Sequence, residues 1–444
     1  MRIHYHTFGC KANQYDTERM RQELEARGAA TVEGPGDAEV VVVNTCTVTN
    51  QADADARRLI RRLRRDHPSA QVVVAGCSAA LKADDYRGMG VDGVVEGHDP
   101  VAVAGAALAG ASTSALVQLS DRRTLDRLDT EPVGAELLRR RRGATRGWLK
   151  IQDGCDRKCA FCATRLARGA SRSRAADEVV AEARVLARSH PELVLTGVHI
   201  GHYGLDLGDR ATTLGTLLGR LLDAVPDTRF RLGSIEATEI DDRLLDLMAG
   251  SGGRVAPHLH MPLQSGADPV LRRMRRWHTR EQYRTRALEI AERLPVLGLG
   301  ADVITGFPGE TDDDHRSTAD LVDELPFTYL HVFPFSPRDD TVAAQLQKEM
   351  PVPQRVAGER SRDLRERVAA KGARYRAGRV GQEAEVVLED GGRALTGDYL
   401  RVTVAEGARG EHGSALRRGR LHSNGDDLYI DLFDPVTAHP AHAS

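Results

Sequence analysis

Lysine is scarce: the chain of 444 residues has six lysines against 56 arginines. Aromatic residues make up only 4%, and no cysteine occurs after position 162. No long hydrophobic run is present. The longest weakly apolar stretch, Val101–Val117, is rich in Ala, Gly and Ser and too short to cross a bilayer comfortably. The opening MRIHYHTFGC lacks an apolar h-region, which argues against a secretory signal. Neither charge dominates. The 62 basic and 64 acidic residues leave −2, which excludes a uniformly basic nucleic-acid binder and confines phosphate contacts to local patches. These absences point to a cytoplasmic chain with no membrane segment. Thiols stay reduced in that compartment, so the six cysteines need a role other than disulfides.

At about 150 residues per domain, the length suggests about three domains. The first hundred residues alternate strand and helix: a strand at Ile3–Thr7, a helix over Asp16–Arg27 closed by Gly28, and a buried strand at Glu39–Asn44. A helix from Ala52 to the His67-Pro68 stop and a strand at Gln71–Ala75 follow. This alternation predicts a parallel α/β sheet. Residues 118–147 are charge-rich without a clear period and read as a solvated linker, in which Arg139–Arg142 with Arg146 offer an alternative phosphate contact. From Trp148 six strand–helix units follow, with strands at Trp148–Gln152, Leu193–Thr196, Arg229–Ile235, His258–Pro262, Leu299–Ile304 and Tyr329–Phe333. Six units predict an open partial (β/α)6 barrel rather than a closed eight-fold one. The helical pattern ends near Lys371. EAEVVLED, GDYLRVTVAEG and DDLYIDLF then read as strands of a small antiparallel β-barrel.

Cys155, Cys159 and Cys162 form C-x3-C-x2-C directly after the first barrel strand. Three thiolates on one loop can grip one face of a metal cluster. Zinc is the competing reading, although it normally takes four protein ligands and this loop supplies three. Cys10, Cys46 and Cys77 are distant in sequence, yet each follows a strand (HTFGC, VVVVNTC, VVVAGC). Carboxyl ends of parallel strands share one edge, so these thiols are expected to converge on a second metal site with an open position. Other candidates lie at strand ends: Gly197 in LTGVHIGHYG, Arg231, Ser234 and Glu236 in RLGSIEA, Gln264 and Ser265 in HLHMPLQSG, and Gly306 in VITGFPGET. Gly197 and Gly306 would let backbone approach a flat ligand, and Glu236 would bind a ribose or amino group.

These motifs, with TFGCKANQYDTERM, WLKIQDGCDRKCAFC and LHVFPFSPR, occur in the order found in the radical S-adenosylmethionine (SAM) methylthiotransferases. The chain resembles that family from about residue 1 to 435. Its GCKANQYD, IEA and HVFPFSPR segments are most similar to the tRNA N6-threonylcarbamoyladenosine branch. ATRLARG after Cys162 and Arg276-Trp277-His278 depart from the relatives' usual pattern.

The resemblance implies a methylthiotransferase N-terminal domain (1–117), a linker (118–147), a radical SAM core (148–370) and a C-terminal TRAM β-barrel (371–436). It implies one 4Fe–4S cluster on Cys155, Cys159 and Cys162, whose open iron chelates SAM. An auxiliary 4Fe–4S cluster on Cys10, Cys46 and Cys77 would carry the sulfur to be transferred. Two SAM would be consumed per turnover, and Gly197, Ser234, Glu236, Gln264 and Gly306 would line the SAM site. An electron donor such as flavodoxin or ferredoxin is implied as partner. The substrate implied is the modified adenosine next to the tRNA anticodon, methylthiolated at C2, with Arg139, Arg140, Arg417 and Arg418 against phosphate. Residues 371–436 contain ten basic and eleven acidic side chains, so that barrel is not basic overall. Two other readings stand beside this one: the same chemistry on a peptide or ribosomal protein, and a zinc-stabilised RNA-binding protein without catalysis.

Overall fold

The run Val40–Thr45 is buried along its whole length, as a strand covered on both faces must be. The computed structural model, which describes residues 1–109, 137–209, 211–405, 416–425 and 427–433, places this strand at the centre of the first sheet. The strands are β1 (Arg2–Thr7), β2 (Ala30–Thr31), β3 (Val40–Thr45), β4 (Gln71–Gly76) and β5 (Gly93–Val94). They are all parallel, in the order β2-β1-β3-β4-β5. Successive valines alternate between two cores: Val40 and Val42 pack with Met20 and Val103, and Val41 and Val43 with Ile60 and Leu63.

Helix α1 (Lys11–Ala26) starts five residues before the expected Asp16. Cys10 takes the N-cap position with extended backbone and makes no side-chain cap bond, so the usual sequence signal for a helix start is missing. Helix α2 (Asn50–Asp66) starts ahead of Ala52 because Thr49 accepts the Ala52 N–H at 3.1 Å. The short helix α3 (Cys77–Leu81) follows β4 directly.

The second unit begins at β6 (Arg146–Lys150), followed by a small ribbon of β7 (Gln152–Asp153) and β8 (Arg172–Ser173). The strands β9 (Glu192–Thr196), β10 (Arg229–Leu232), β11 (His258–His260), β12 (Gly298–Thr305) and β13 (Tyr329–Pro334) complete six parallel barrel strands in two sheets, β10-β9-β6 and β11-β12-β13. β10 ends short of the expected Ile235 because the chain changes neighbours there. The Gly233 N–H still bonds to Leu195 of β9, whereas the Ile235 N–H bonds to His260 of β11. That switch joins the two sheets and leaves the barrel open between β6 and β13.

The first sheet covers the open side. Trp148 Nε1 of β6 donates to Gln14 (3.0 Å) and Lys150 Nζ to Asp16 (2.7 Å). Beyond β13, Arg338 bonds to Asp53 (2.8 Å) and Asn50 (2.5 Å). Of the stretch 118–147, residues 118–136 lie outside the described residues. The remainder is not a free linker: Leu138 is buried, its N–H bonds to Glu182 at 2.9 Å, and the Arg141 guanidinium lies 3.9 Å from the Trp148 ring.

The helical pattern runs past the expected Lys371. The helix Gln354–Arg379 continues because Tyr375 (2.8 Å) and Arg379 (2.9 Å) pin its last turn to Asp398 of the C-terminal barrel. That barrel is closed, in the order β14-β15-β16-β18-β17, from β14 (Glu383–Glu389), β15 (Arg393–Thr396), β16 (Arg401–Val404), β17 (Arg417–Asn424) and β18 (Asp427–Leu432). Its pairings are antiparallel except β16 with β18, which is parallel. Strand β17 is the segment RRGRLHSN, whose arginines hide the alternation of a strand in the sequence. No helix among the described residues is long and apolar enough to cross a membrane.

Glu192, fully buried at the start of β9, clasps the base of the open barrel to the C-terminal one. It accepts from Arg229 (2.6 Å) and Arg231 (2.9 Å), and these arginines reach on to the carbonyls of Glu385, Thr396 and Gly397. Burial works against the Glu192 carboxylate, but Arg231 and Arg229 outweigh it and bring its pKa from 4.5 to about 2. A carboxyl depressed in this way gives stability that is complete above its unfolded pKa and is lost as pH falls through the folded value. Glu192→Gln is expected to cost roughly 3–5 kcal/mol at neutral pH. The gap to wild type should narrow by about 3 kcal/mol as pH falls from 5 towards 2. Urea midpoints across that range measure it, and a gap independent of pH would refute the assignment.

Candidate functional site

Cys10, Cys46 and Cys77 leave the carboxyl ends of β1, β3 and β4, which are neighbours in the sheet with Thr7 opposite Asn44 and Thr45 opposite Gly76. Cys10 is exposed; Cys46 and Cys77 are buried. Asn13 ties the three ends together. Its Nδ2 donates to Phe8 O (2.9 Å) and Thr45 O (2.8 Å), and its Oδ1 lies 3.6 Å from Cys77 Sγ. Gly9 is required here: its φ is +93°, and a Cβ would stand 2.5 Å from Cys46 Sγ. Burial pushes the Cys77 thiol up to about 12, and the neighbouring Cys10 and Cys46 add to the rise. Burial also raises Cys46.

Cys155, Cys159 and Cys162 lie on the loop between β7 and the short helix Thr164–Arg168. The loop folds back tightly: the Cys155 N–H donates to Gly169 O (3.1 Å), and a Cβ on Gly154, whose φ is +70°, would meet Ala170 O at 1.8 Å. Gln152 fixes the loop from inside. Its amide donates to Asp153 O and Gly154 O (both 2.8 Å), while its Oε1 accepts from the N–H groups of Val198 (3.1 Å) and His199 (2.8 Å). His199 Nδ1 is 3.4 Å from Cys155 Sγ, and its Nε2 is held by Glu239 at 2.8 Å. Arg276 Nη1 lies 3.7 Å from Cys159 Sγ, and Arg276 pairs with the buried Glu236. Burial pushes Cys155 up to about 12 and raises Cys159, where Arg276 opposes the rise.

Each cysteine set supplies three thiols and no fourth cysteine, whereas structural zinc normally takes four protein ligands, so both sets suit a cluster with an open position better than a closed zinc site. Among the described residues, His199, His202 and Glu239, and His260, Asp302 and His331, bring their ligand atoms within 4.8 Å of one another.

Arg168, absent from the residues expected from sequence, joins the two sets. It ends the helix after Cys162 and is 2% exposed. Its Nε donates to Cys77 Sγ at 3.3 Å, its Nη1 to Asp153 at 2.9 Å, and its Nη2 to Asn13 (2.5 Å) and Asp16 (2.8 Å). Lys150 completes the knot, donating to Asp16 (2.7 Å) and Asp153 (2.6 Å). Burial opposes both carboxylates, but Lys150 and Arg168 hold Asp16 low, and Arg168 and Lys150 hold Asp153 lower still. His98, 3.7 Å from Cys77 Sγ, is pressed down to about 3 by burial and Arg168.

The other expected residues are scattered. Glu236 stands beside Cys159 through Arg276, and Ser234 is exposed where β10 meets β11. Gln264 is buried with a φ of +67°, its backbone bonded to Asp302 and Ile304 of β12. Gly197 and Gly306 make room for protein: a Cβ would meet Gln152 O at 2.8 Å in one and Ala357 Cβ at 2.4 Å in the other. Arg139 and Arg140 are exposed, but the Arg139 N–H is bonded to Gln22, eleven residues along α1 from its start at Lys11 and hence about 16 Å away. Arg417 bonds to Phe433 O, and Arg418 pairs with Glu383 at 2.9 Å on the far barrel. The arginines are therefore not gathered at the cysteines.

Removing Arg168 leaves two buried carboxylates sharing one lysine. Arg168→Met is expected to lower stability by roughly 3–5 kcal/mol in denaturant titrations. A loss below about 1 kcal/mol would show that the knot contributes little to holding the halves together.

The profile of uncharacterized protein family UPF0004 matches residues 2–95, and that of the radical SAM superfamily matches residues 149–322. The chain is 34% identical over 405 residues to the threonylcarbamoyladenosine tRNA methylthiotransferase MtaB of Rickettsia prowazekii, covering 89% of this chain and 90% of that one. It is 36% identical over 360 residues to the MtaB protein of Bacillus subtilis, covering 78% and 76%. It is 31% identical over 404 residues to the tRNA-2-methylthio-N(6)-dimethylallyladenosine synthase of Anoxybacillus flavithermus, covering 87% and 73%. In fold it is similar to the radical S-adenosylmethionine methyltransferase TsrM from Kitasatospora setae, with a TM-score of 0.57 at 17% identity over 78% of each chain. With two thiol sets at the strand ends of an α/β sheet and an open barrel, the chain belongs to the radical SAM tRNA methylthiotransferase family.

Proposed function

We propose that this chain is a cytoplasmic enzyme that methylthiolates C2 of N6-threonylcarbamoyladenosine next to the tRNA anticodon. One observation carries the two-centre chemistry: two thiol triads, each with three ligands and no fourth cysteine available, are joined through Arg168. Identities of 34% and 36% to proteins named for this modification support the choice of adenosine. Cys155, Cys159 and Cys162 would hold the 4Fe–4S cluster that accompanies SAM, and Cys10, Cys46 and Cys77 a second one. When bound, such clusters supply the electron for reductive SAM cleavage and a foothold for the sulfur to be transferred.

The protein's part is placement and charge. Asn13 sets the N-terminal thiols, and Gln152 sets the C-x3-C-x2-C loop against the loop after β9. Arg168 and Arg276 each bring a guanidinium against one sulfur, opposing the negative charge that thiolate ligation creates. Glu236 orients Arg276, and Glu239 orients His199 beside Cys155. A small electron donor such as flavodoxin or ferredoxin would reach the partly exposed C-x3-C-x2-C loop. Arg139, Arg140, Arg417 and Arg418 would meet tRNA phosphates away from the thiols, so affinity should fall steeply with salt.

Anaerobic reconstitution is expected to yield about eight irons and as many sulfides per chain. About four irons with all six cysteines intact would eliminate the second cluster. Cys159→Ala should abolish 5′-deoxyadenosine formation, whereas Cys46→Ala should retain it and lose the methylthio product. Methylthiolation by Cys46→Ala would refute the division of labour. For the substrate, purified enzyme is offered tRNA with threonylcarbamoyladenosine, tRNA with dimethylallyladenosine, unmodified tRNA and candidate peptides. Product on the first alone is expected; product on a peptide and none on tRNA would overturn the RNA reading.

A further inference from the structure

Strands β11, β12 and β13 carry polar side chains that neither thiol set uses. Along β12 the side chains alternate. Leu299, Ala301 and Val303 are buried in the main core, and Thr305 on the same face bonds to Ser361 of the long helix Gln354–Arg379 at 2.6 Å. That face lies under the helices, so Gly300 and Asp302 look the other way, into the open barrel. The register sets His260 of β11 opposite Gly300 and His331 of β13 opposite Asp302, which puts both histidines on the inner face with them. One ligand atom each of His260, Asp302 and His331 lies within 4.8 Å of the other two, and His260 Nε2 is 3.2 Å from Asp302 Oδ1.

The orientation of His260 is built from behind. Gly300 has no Cβ, and one there would run into the ring of Tyr329, so the tyrosine lies across bare backbone. Its hydroxyl reaches His258 Nε2 at 2.8 Å and His260 Nδ1 at 3.2 Å. With the Nδ1–H of His260 given to that oxygen, and the hydroxyl proton given to His258, the lone pair of His260 Nε2 is free on the side where Asp302 stands. A metal-ligating histidine is held in this way, its second nitrogen fixed by an outer partner. Bonds of about 2.1 Å to one ion place donor atoms about 3.0–3.4 Å apart. His260 and Asp302 already stand at that separation. His331 is exposed and makes no hydrogen bond among the described residues, so its ring can turn to close the set. Two imidazoles and a carboxylate with an open side suit zinc or ferrous iron.

We propose that His260, Asp302 and His331 form a mononuclear site for a divalent cation of the zinc or ferrous class on the inner wall of the barrel, sharing no residue with either thiol set. The site does not depend on which adenosine is modified. Its three ligands come from three adjacent strands, so the ion also ties β13, at the edge of the barrel opening, to β12 and β11. The open coordination positions face the interior, where water or an oxygen or nitrogen donor of a bound molecule completes the shell.

Anaerobic holoenzyme, with both thiol sets loaded and loose metal removed, is titrated with zinc chloride. Bound zinc is counted by mass spectrometry after desalting, and X-ray absorption at the zinc edge identifies its neighbours. About one zinc per chain is expected, with imidazole and oxygen neighbours at about 2.0–2.1 Å and no sulfur at about 2.3 Å. His331→Ala and Asp302→Asn should each abolish that binding, with iron content unchanged. Tyr329→Phe keeps all three ligands but removes the outer partner, and should weaken zinc binding by about tenfold to a hundredfold. His422→Ala breaks another His–Asp pair, with Asp431 at 3.1 Å on the C-terminal barrel, and should change nothing. Zinc with sulfur neighbours, no zinc retained, or equal zinc in the unaltered protein, His331→Ala and Asp302→Asn each overturns the proposal. Loss of zinc from His422→Ala as well would mean surface adsorption and overturn it too. If Asp302→Asn fails to fold, His331→Ala, which alters an exposed side chain, decides together with the absorption spectrum.

Discussion

Arg168 is the point through which the two halves of the molecule define one another. A guanidinium at 2% exposure is untenable unless its donors are met, and its partners here come from three elements: the thiol of Cys77 on α3, the side chains of Asn13 and Asp16 on α1, and Asp153 of β7. Because the arginine ends the short helix that follows the C-x3-C-x2-C loop, satisfying it fixes where that loop stands relative to the N-terminal thiols. The planar fork makes this possible, since its five fixed donors reach a sulfur, an amide oxygen and two carboxylates from one position. Lys150 serves as the second cation, so neither aspartate is left sharing a single partner.

The same device recurs around the site. Arg276 places one nitrogen near Cys159 and another on Glu236, as Arg168 does with Cys77 and its carboxylates. Each thiol set thus has one buried arginine whose charge is already balanced by a carboxylate. The arginine can turn towards added negative charge on sulfur without having been an uncompensated charge beforehand. At the base of the barrel, Glu192 between Arg229 and Arg231 uses the inverse arrangement, one carboxylate between two guanidinia, to fix the C-terminal barrel.

Much of this was legible in the sequence, for reasons that also mark where legibility ends. VVVVN and VVVAG could only be strands buried on both faces, so the cysteines after them had to share an edge. The count of six barrel strands followed from spacing alone. What escaped were features whose signal is three-dimensional. Helix α1 begins at an uncapped cysteine, β17 is masked by arginines on its outer face, and the helix expected to stop near Lys371 is prolonged by a carboxylate on another unit. Arg168 was one arginine among 56, and nothing local distinguishes it from a surface residue. At Gly197 and Gly306 the missing Cβ also leaves room for Gln152 and Ala357, a packing requirement that no local sequence signal reveals.

The scarcity of lysine acquires a meaning in this light. Of six lysines, Lys11 and Lys150 stand in the wall between sheet and barrel, and Lys158 lies within the cysteine loop. Where a rigid fork is wanted, the chain uses arginine, as at Arg168 and Arg276. Lys150 answers two carboxylates 2.7 and 2.6 Å away, a task for a compact charge on a flexible stem.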